Sequence, residues 1–64
     1  VTFTQETARK WAISVSDKEL EANIVALSPD SPDQTIRFRD GWITVVTSAD
    51  ILTAAITTLA QRQP

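Results

Sequence analysis

The chain has 64 residues, a net charge of −2, and neither cysteine nor histidine. Those absences exclude a disulfide staple, a thiolate metal site and a histidine base or pH switch. A chain this short buries only about 60% of its unfolded surface, so its stability must come from a well-packed minimal core or from a core completed by a second chain.

The hydrophobic fraction of 42% is that of a globular protein, and residues 1–64 are read as one small domain. Charges are mixed along the chain, and no run of like charge reaches three residues. The basic excess that marks nucleic-acid binders and anionic-membrane binders is absent. No apolar run approaches the length of a membrane span. No charged segment leads an apolar one in the manner of a signal peptide, so a cytoplasmic protein is expected.

Residues 1–15 show alternation. Trp11, Ile13 and Val15 alternate with Ala12, Ser14 and Ser16, the pattern of a strand with one small, polar face. Val1 and Phe3 alternate with threonines and suggest another strand, with a turn or a short helix begun by Thr4 between them. The preferred reading is strand, loop, strand.

Ser16-Asp17-Lys18-Glu19 is a capping box ahead of an apolar stripe of Leu20, Ile24 and Leu27. It predicts a helix over 17–27. The helix stops at Ser28-Pro29-Asp30-Ser31-Pro32-Asp33, where two prolines forbid its continuation.

Asp40-Gly41 sits between two alternating segments, the usual signature of a two-residue type I′ hairpin. That loop would pair Arg39 with Trp42, Phe38 with Ile43, Arg37 with Thr44 and Ile36 with Val45, over strands 35–39 and 42–47. Ile36, Phe38, Ile43 and Val45 would then share an apolar face, and Arg37, Arg39, Trp42 and Thr44 the other.

Thr47 or Ser48 can cap a final helix over 49–61, with Asp50 in its first turn and Ile51, Leu52, Ala55, Ile56 and Leu59 at helical spacing. Thr53, Thr57 and Thr58 occupy the exposed face, where Lys and Glu would be usual. So weakly charged a face suggests a helix covered on more than one side.

The expected fold class is therefore α+β, of order ββα-ββα: a small antiparallel sheet with two helices packed on one face. Ile36, Phe38, Ile43 and Val45 should face Leu20, Ile24, Ile51, Ala55, Ile56 and Leu59. A shift of 31 residues aligns Trp11 with Trp42, Val15 with Val46 and both helix starts. The apolar faces are swapped between the two copies, so either the repeat is fortuitous or one strand is apolar on both sides.

Three groups of residues invite a functional reading. Arg37, Arg39 and Trp42 would share the polar face of the hairpin, where Trp and Arg form cation–π contacts and binding hot spots. Thr53 and Thr57 offer a second candidate partner-binding surface on the last helix. The aspartates of residues 28–33 lack the spacing, glycine and terminal glutamate of a calcium loop. Catalysis has little to work with. Lys10 and Lys18 have charged or polar neighbours in sequence, and a single glycine excludes a glycine-rich phosphate loop. No catalytic residue, metal or cofactor is expected.

The run from Ser16 to Gln61 resembles, in its Asp40-Gly41 hairpin and Thr47-Ser48 helix start, the helix, hairpin, helix order of the small phage lambda head–tail joining proteins. Residues 1–15 fall outside that pattern. The resemblance implies a viral assembly role. The residues themselves point to a non-catalytic protein-interaction module, either a homodimer or a small subunit of a larger complex, with a protein partner and no membrane insertion. The competing expectation is a small nucleic-acid-binding regulator using the hairpin arginines, which would show steep salt dependence.

Overall fold

The computed structural model describes residues 3–63. Its elements are α1 (Phe3–Ser14), α2 (Asp17–Ala26), β1 (Gln34–Arg37), β2 (Ile43–Val46) and α3 (Ser48–Arg62). The protein is a small α+β fold, but of order ααββα rather than ββα-ββα.

The departure lies in the first fifteen residues. The strand expected over Trp11–Val15 is the end of a helix, and Phe3 opens that helix; Val1, in the other expected strand, lies outside the described residues. The alternation of Trp11, Ile13 and Val15 is overridden by a second pattern, Ala8, Trp11, Ala12 and Val15, which falls at helical spacing. Burial follows the helical pattern: Thr7, Ala8, Trp11 and Ala12 are buried while Ile13 is 69% exposed. The 31-residue repeat fails for the same reason, since Trp11 stands on a helix and Trp42 at the end of a hairpin turn.

The other two helices begin where their caps predict. The Ser16 side chain accepts from Glu19 N at 3.3 Å, and Thr47 Oγ1 accepts from Asp50 N at 3.2 Å. Each cap satisfies one of the donors that the first turn of a helix leaves unpaired.

Among the helices, α3 packs most extensively against α1, and next against α2. The α1–α3 contact uses small residues, Ala8 and Ala12 against Ala54 and Ala55, with buried Thr7 and Thr58 on the same two faces. Small side chains let the two helix axes approach closely. Leu20, Ile51, Val46 and Ile36 complete the core, with Val15, Ile24, Leu27, Phe38 and Leu59 packed around it. Ile56, expected in the core, is 55% exposed, because α3 turns its alanine face to α1 and leaves Ile56 outside. Thr58, expected on the surface, is buried.

Two polar side chains, Ser48 and Arg62, fix the joints. Ser48, itself buried, donates from Oγ to Pro32 O at 2.6 Å, tying the start of α3 to the approach of β1. Arg62, at the end of α3, reaches back to the α1–α2 junction. Its Nη2 donates to Ala12 O at 3.2 Å and Ile13 O at 3.0 Å, and its Nη1 donates to Val15 O at 3.0 Å and Asp17 Oδ1 at 2.6 Å. Ser14 Oγ donates to Trp11 O at 2.7 Å. The last carbonyls of α1, orphaned by the end of the helix, are thus taken by side chains, and a cation sits where the helix dipole favours one.

Arg62→Ala should therefore cost about 1–2 kcal/mol, at the low end for charged hydrogen bonds because the side chain is partly solvated. Asp17→Ala, which removes an exposed ion pair and one first-turn carboxylate of α2 but leaves the carbonyl contacts in place, should cost less, about 1 kcal/mol at most. Urea unfolding of the two variants measures the difference. Equal midpoints would mean that the carbonyl contacts contribute nothing.

Candidate functional site

The hairpin is the surface element richest in recognition-type residues, and its register decides what they can do. Gly41 N donates to Phe38 O at 3.0 Å, and Phe38 N donates to Trp42 O at 2.8 Å. The connection is thus three residues, Arg39, Asp40 and Gly41, with Gly41 at φ 92°. This is a type I turn closed by a glycine bulge. A type I′ turn would also need positive φ at Asp40, and among the described residues no residue other than Gly41 has one. Asp40 instead uses its carboxylate, which accepts from Trp42 N at 2.9 Å.

The extra loop residue slips the expected register by one. Ile36 faces Thr44 rather than Val45, Arg37 faces Ile43, Thr35 faces Val45 and Gln34 faces Val46. A slip of one residue in one strand turns its side chains to the opposite face relative to its partner. Ile36 and Val46 are buried on the helix side, with Phe38 partly buried. Ile43 and Val45, expected in the core, are 51% and 52% exposed on the outer face, beside Thr35 and Arg37.

The trio of Arg37, Arg39 and Trp42 is consequently divided. Arg37 lies on the outer face, Arg39 in the turn and Trp42 towards the helix side. The ring facing Trp42 is that of Phe38, stacked at a centroid distance of 5.0 Å, with Phe3 of α1 edge-on at 6.5 Å. Trp42 remains half exposed. An aromatic cluster thus replaces the cation–π contact inferred from the sequence, and it fastens the hairpin tip to the start of α1.

Thr53 and Thr57 are both exposed on α3, one turn apart, as their spacing implies. With Gln5, Arg9 and Asp50 they line a shallow groove of about 110 Å³ between α1 and α3. A larger groove, of about 440 Å³, runs along β1 between Gln34–Arg37 and Glu19 and Asn23 of α2, with Trp11 and Ile51 among its lining residues.

Neither the β1 groove nor the outer patch was among the surfaces anticipated from the sequence. The clue to the outer patch was Asp40, whose side chain can cap a three-residue turn as readily as its backbone can enter a two-residue one. Among the described residues, no group of three or more carboxylates is placed to hold a metal ion, and no helix is long and apolar enough to cross a membrane.

The two tryptophans report on this arrangement. In a Trp11→Phe variant the remaining emission, from Trp42, should be readily quenched by acrylamide. In a Trp42→Phe variant the remaining emission, from buried Trp11, should be shielded. Equal quenching of the two would contradict the placement of α1 and the hairpin.

No protein-family model matches this sequence, and comparisons with curated proteins and with solved structures give no match.

Proposed function

We propose that the chain is a non-catalytic protein-interaction module, working as a homodimer or as a small subunit of a larger complex. The observation that carries this reading is the outer face of the hairpin. Ile43 and Val45 stand side by side on β2, each about half exposed, next to Thr35 and the aliphatic stem of Arg37. A two-stranded sheet with helices on one side leaves its other face without cover. Apolar side chains gathered on such a face, with polar neighbours, are the composition of a contact surface. Arg39 flanks it at the hairpin tip, while Trp42, on the helix-side face of the same tip, offers a separate half-exposed contact. Thr53 and Thr57 form the second candidate surface, beside the groove between α1 and α3.

Light scattering over a wide concentration range tests the reading. The expected result is a species heavier than the 7.0 kDa of one chain. If copies meet through this outer face, Ile43→Lys combined with Val45→Lys shifts it towards the single-chain mass with little loss of stability, because both positions are already half solvated. Thr53→Lys and Thr57→Lys test the second surface in the same way. A chain that keeps the mass of one copy throughout would overturn self-association.

A further inference from the structure

We infer that the free edge of β1 is a self-pairing site: two copies of the chain join β1 to β1, antiparallel, about a twofold axis at Ile36. The product is one continuous sheet of order β2-β1-β1-β2. This rests on the interaction reading above and names its partner as a second copy.

The first ground is the backbone. In an antiparallel ladder, hydrogen-bonded and non-bonded pairs alternate. Phe38 and Trp42 form a bonded pair, so Ile36 with Thr44 and Gln34 with Val46 do too. Thr35 and Arg37 therefore turn their N–H and C=O groups away from β2. Among the described residues, no backbone or side-chain group from another element bonds to them. Such an edge is a template for another strand. The groove of about 440 Å³ lies alongside it, so the edge is open to an incoming backbone.

The second ground is charge, and it selects the occupant. Asp33 precedes the strand and Arg37 and Arg39 follow its centre, all three exposed. None of them belongs to the ion pair seen among the described residues, which joins Arg62 to Asp17. Antiparallel pairing centred on Ile36 sets Thr35 of each copy against Arg37 of the other. It also brings Asp33 of each copy, just before the strand, diagonal to Arg37 of the other and near the turn that carries Arg39, within reach of a long side chain. Parallel pairing in the same alignment would bring like charges together. The edge is thus complementary to itself in one direction. Each Thr35–Arg37 pair exchanges two hydrogen bonds, about four across the junction. The junction also places the two Ile43–Val45 patches on one face of the larger sheet.

Light scattering on edge variants tests the pairing. The wild-type chain should reach twice its 7.0 kDa mass. Thr35→Pro removes a donor that β2 does not use, so it should weaken the dimer at least about tenfold while the circular dichroism spectrum is kept. Two charge variants make the test independent of proline. Asp33→Arg gives an all-basic edge, and Arg37→Asp with Arg39→Asp an all-acidic one. Each should be monomeric alone, and an equimolar mixture of the two should form a heterodimer. A wild-type dimer indifferent to all these changes would overturn edge pairing and leave the interaction reading standing on another face. A wild-type chain that stays monomeric to millimolar concentration would overturn edge pairing and self-association together, and leave a different protein as the partner of the interaction reading.

Discussion

The end of α1 sets the terms for the rest of this fold. Helices commonly finish on a glycine whose left-handed backbone brings following amides back to the last carbonyls. This chain has one glycine, and the hairpin uses it. The carbonyls of Ala12 and Ile13 are met instead by a guanidinium from α3, fifty and forty-nine residues further on. The same group holds Val15 O and the Asp17 carboxylate, so a single side chain fixes the turn between α1 and α2 and the position of α3 against both. Beneath that clamp the alanine faces of α1 and α3 meet, and Leu20 and Ile51 fill the space towards the hairpin.

Local chemistry in the sequence was a sound guide wherever it had no competitor. Ser16 and Thr47 are caps with few other uses in their contexts, and the helices begin where they stand. The two prolines of residues 28–33 leave a helix nowhere to go. The hairpin too follows from Asp40-Gly41. What failed was the choice between two patterns that fit the same residues. Trp11, Ile13 and Val15 alternate like a strand, while Ala8, Trp11, Ala12 and Val15 recur like a helix. Alanine contributes little to a hydrophobic pattern, so the strand is louder in the sequence. It is nonetheless alanine that allows α1 to lie close to α3, and tertiary packing decides the matter.

The faces of the hairpin depart from the sequence reading through a smaller ambiguity. Asp-Gly supports a loop of two or three residues, and the two differ only in whether Asp40 enters the left-handed region or caps Trp42 N with its side chain. That one-residue difference separates Arg37 from Trp42 and moves Ile43 and Val45 from the core to solvent. Thr53 and Thr57, which depend on helical spacing alone, are on the surface as read. Residues whose face depends on a register inherit every uncertainty of the turn, whereas those on a capped helix depend on which stripe the neighbours cover, which leaves Thr53 and Thr57 outside but exchanges Ile56 and Thr58.

The contact between α1 and α3 also bears on the order in which this protein can acquire its structure. In chain order α1 comes well before its main partner α3, so the contacts that α3 and Arg62 supply to its alanine face and its last carbonyls must wait until those residues have been made. A helix of twelve residues is marginal by itself in water. The hairpin and the start of α3, joined across sixteen residues by Ser48 and Pro32, close a much shorter loop. Loop-closure entropy therefore favours assembly of the hairpin and α3 ahead of the docking of α1.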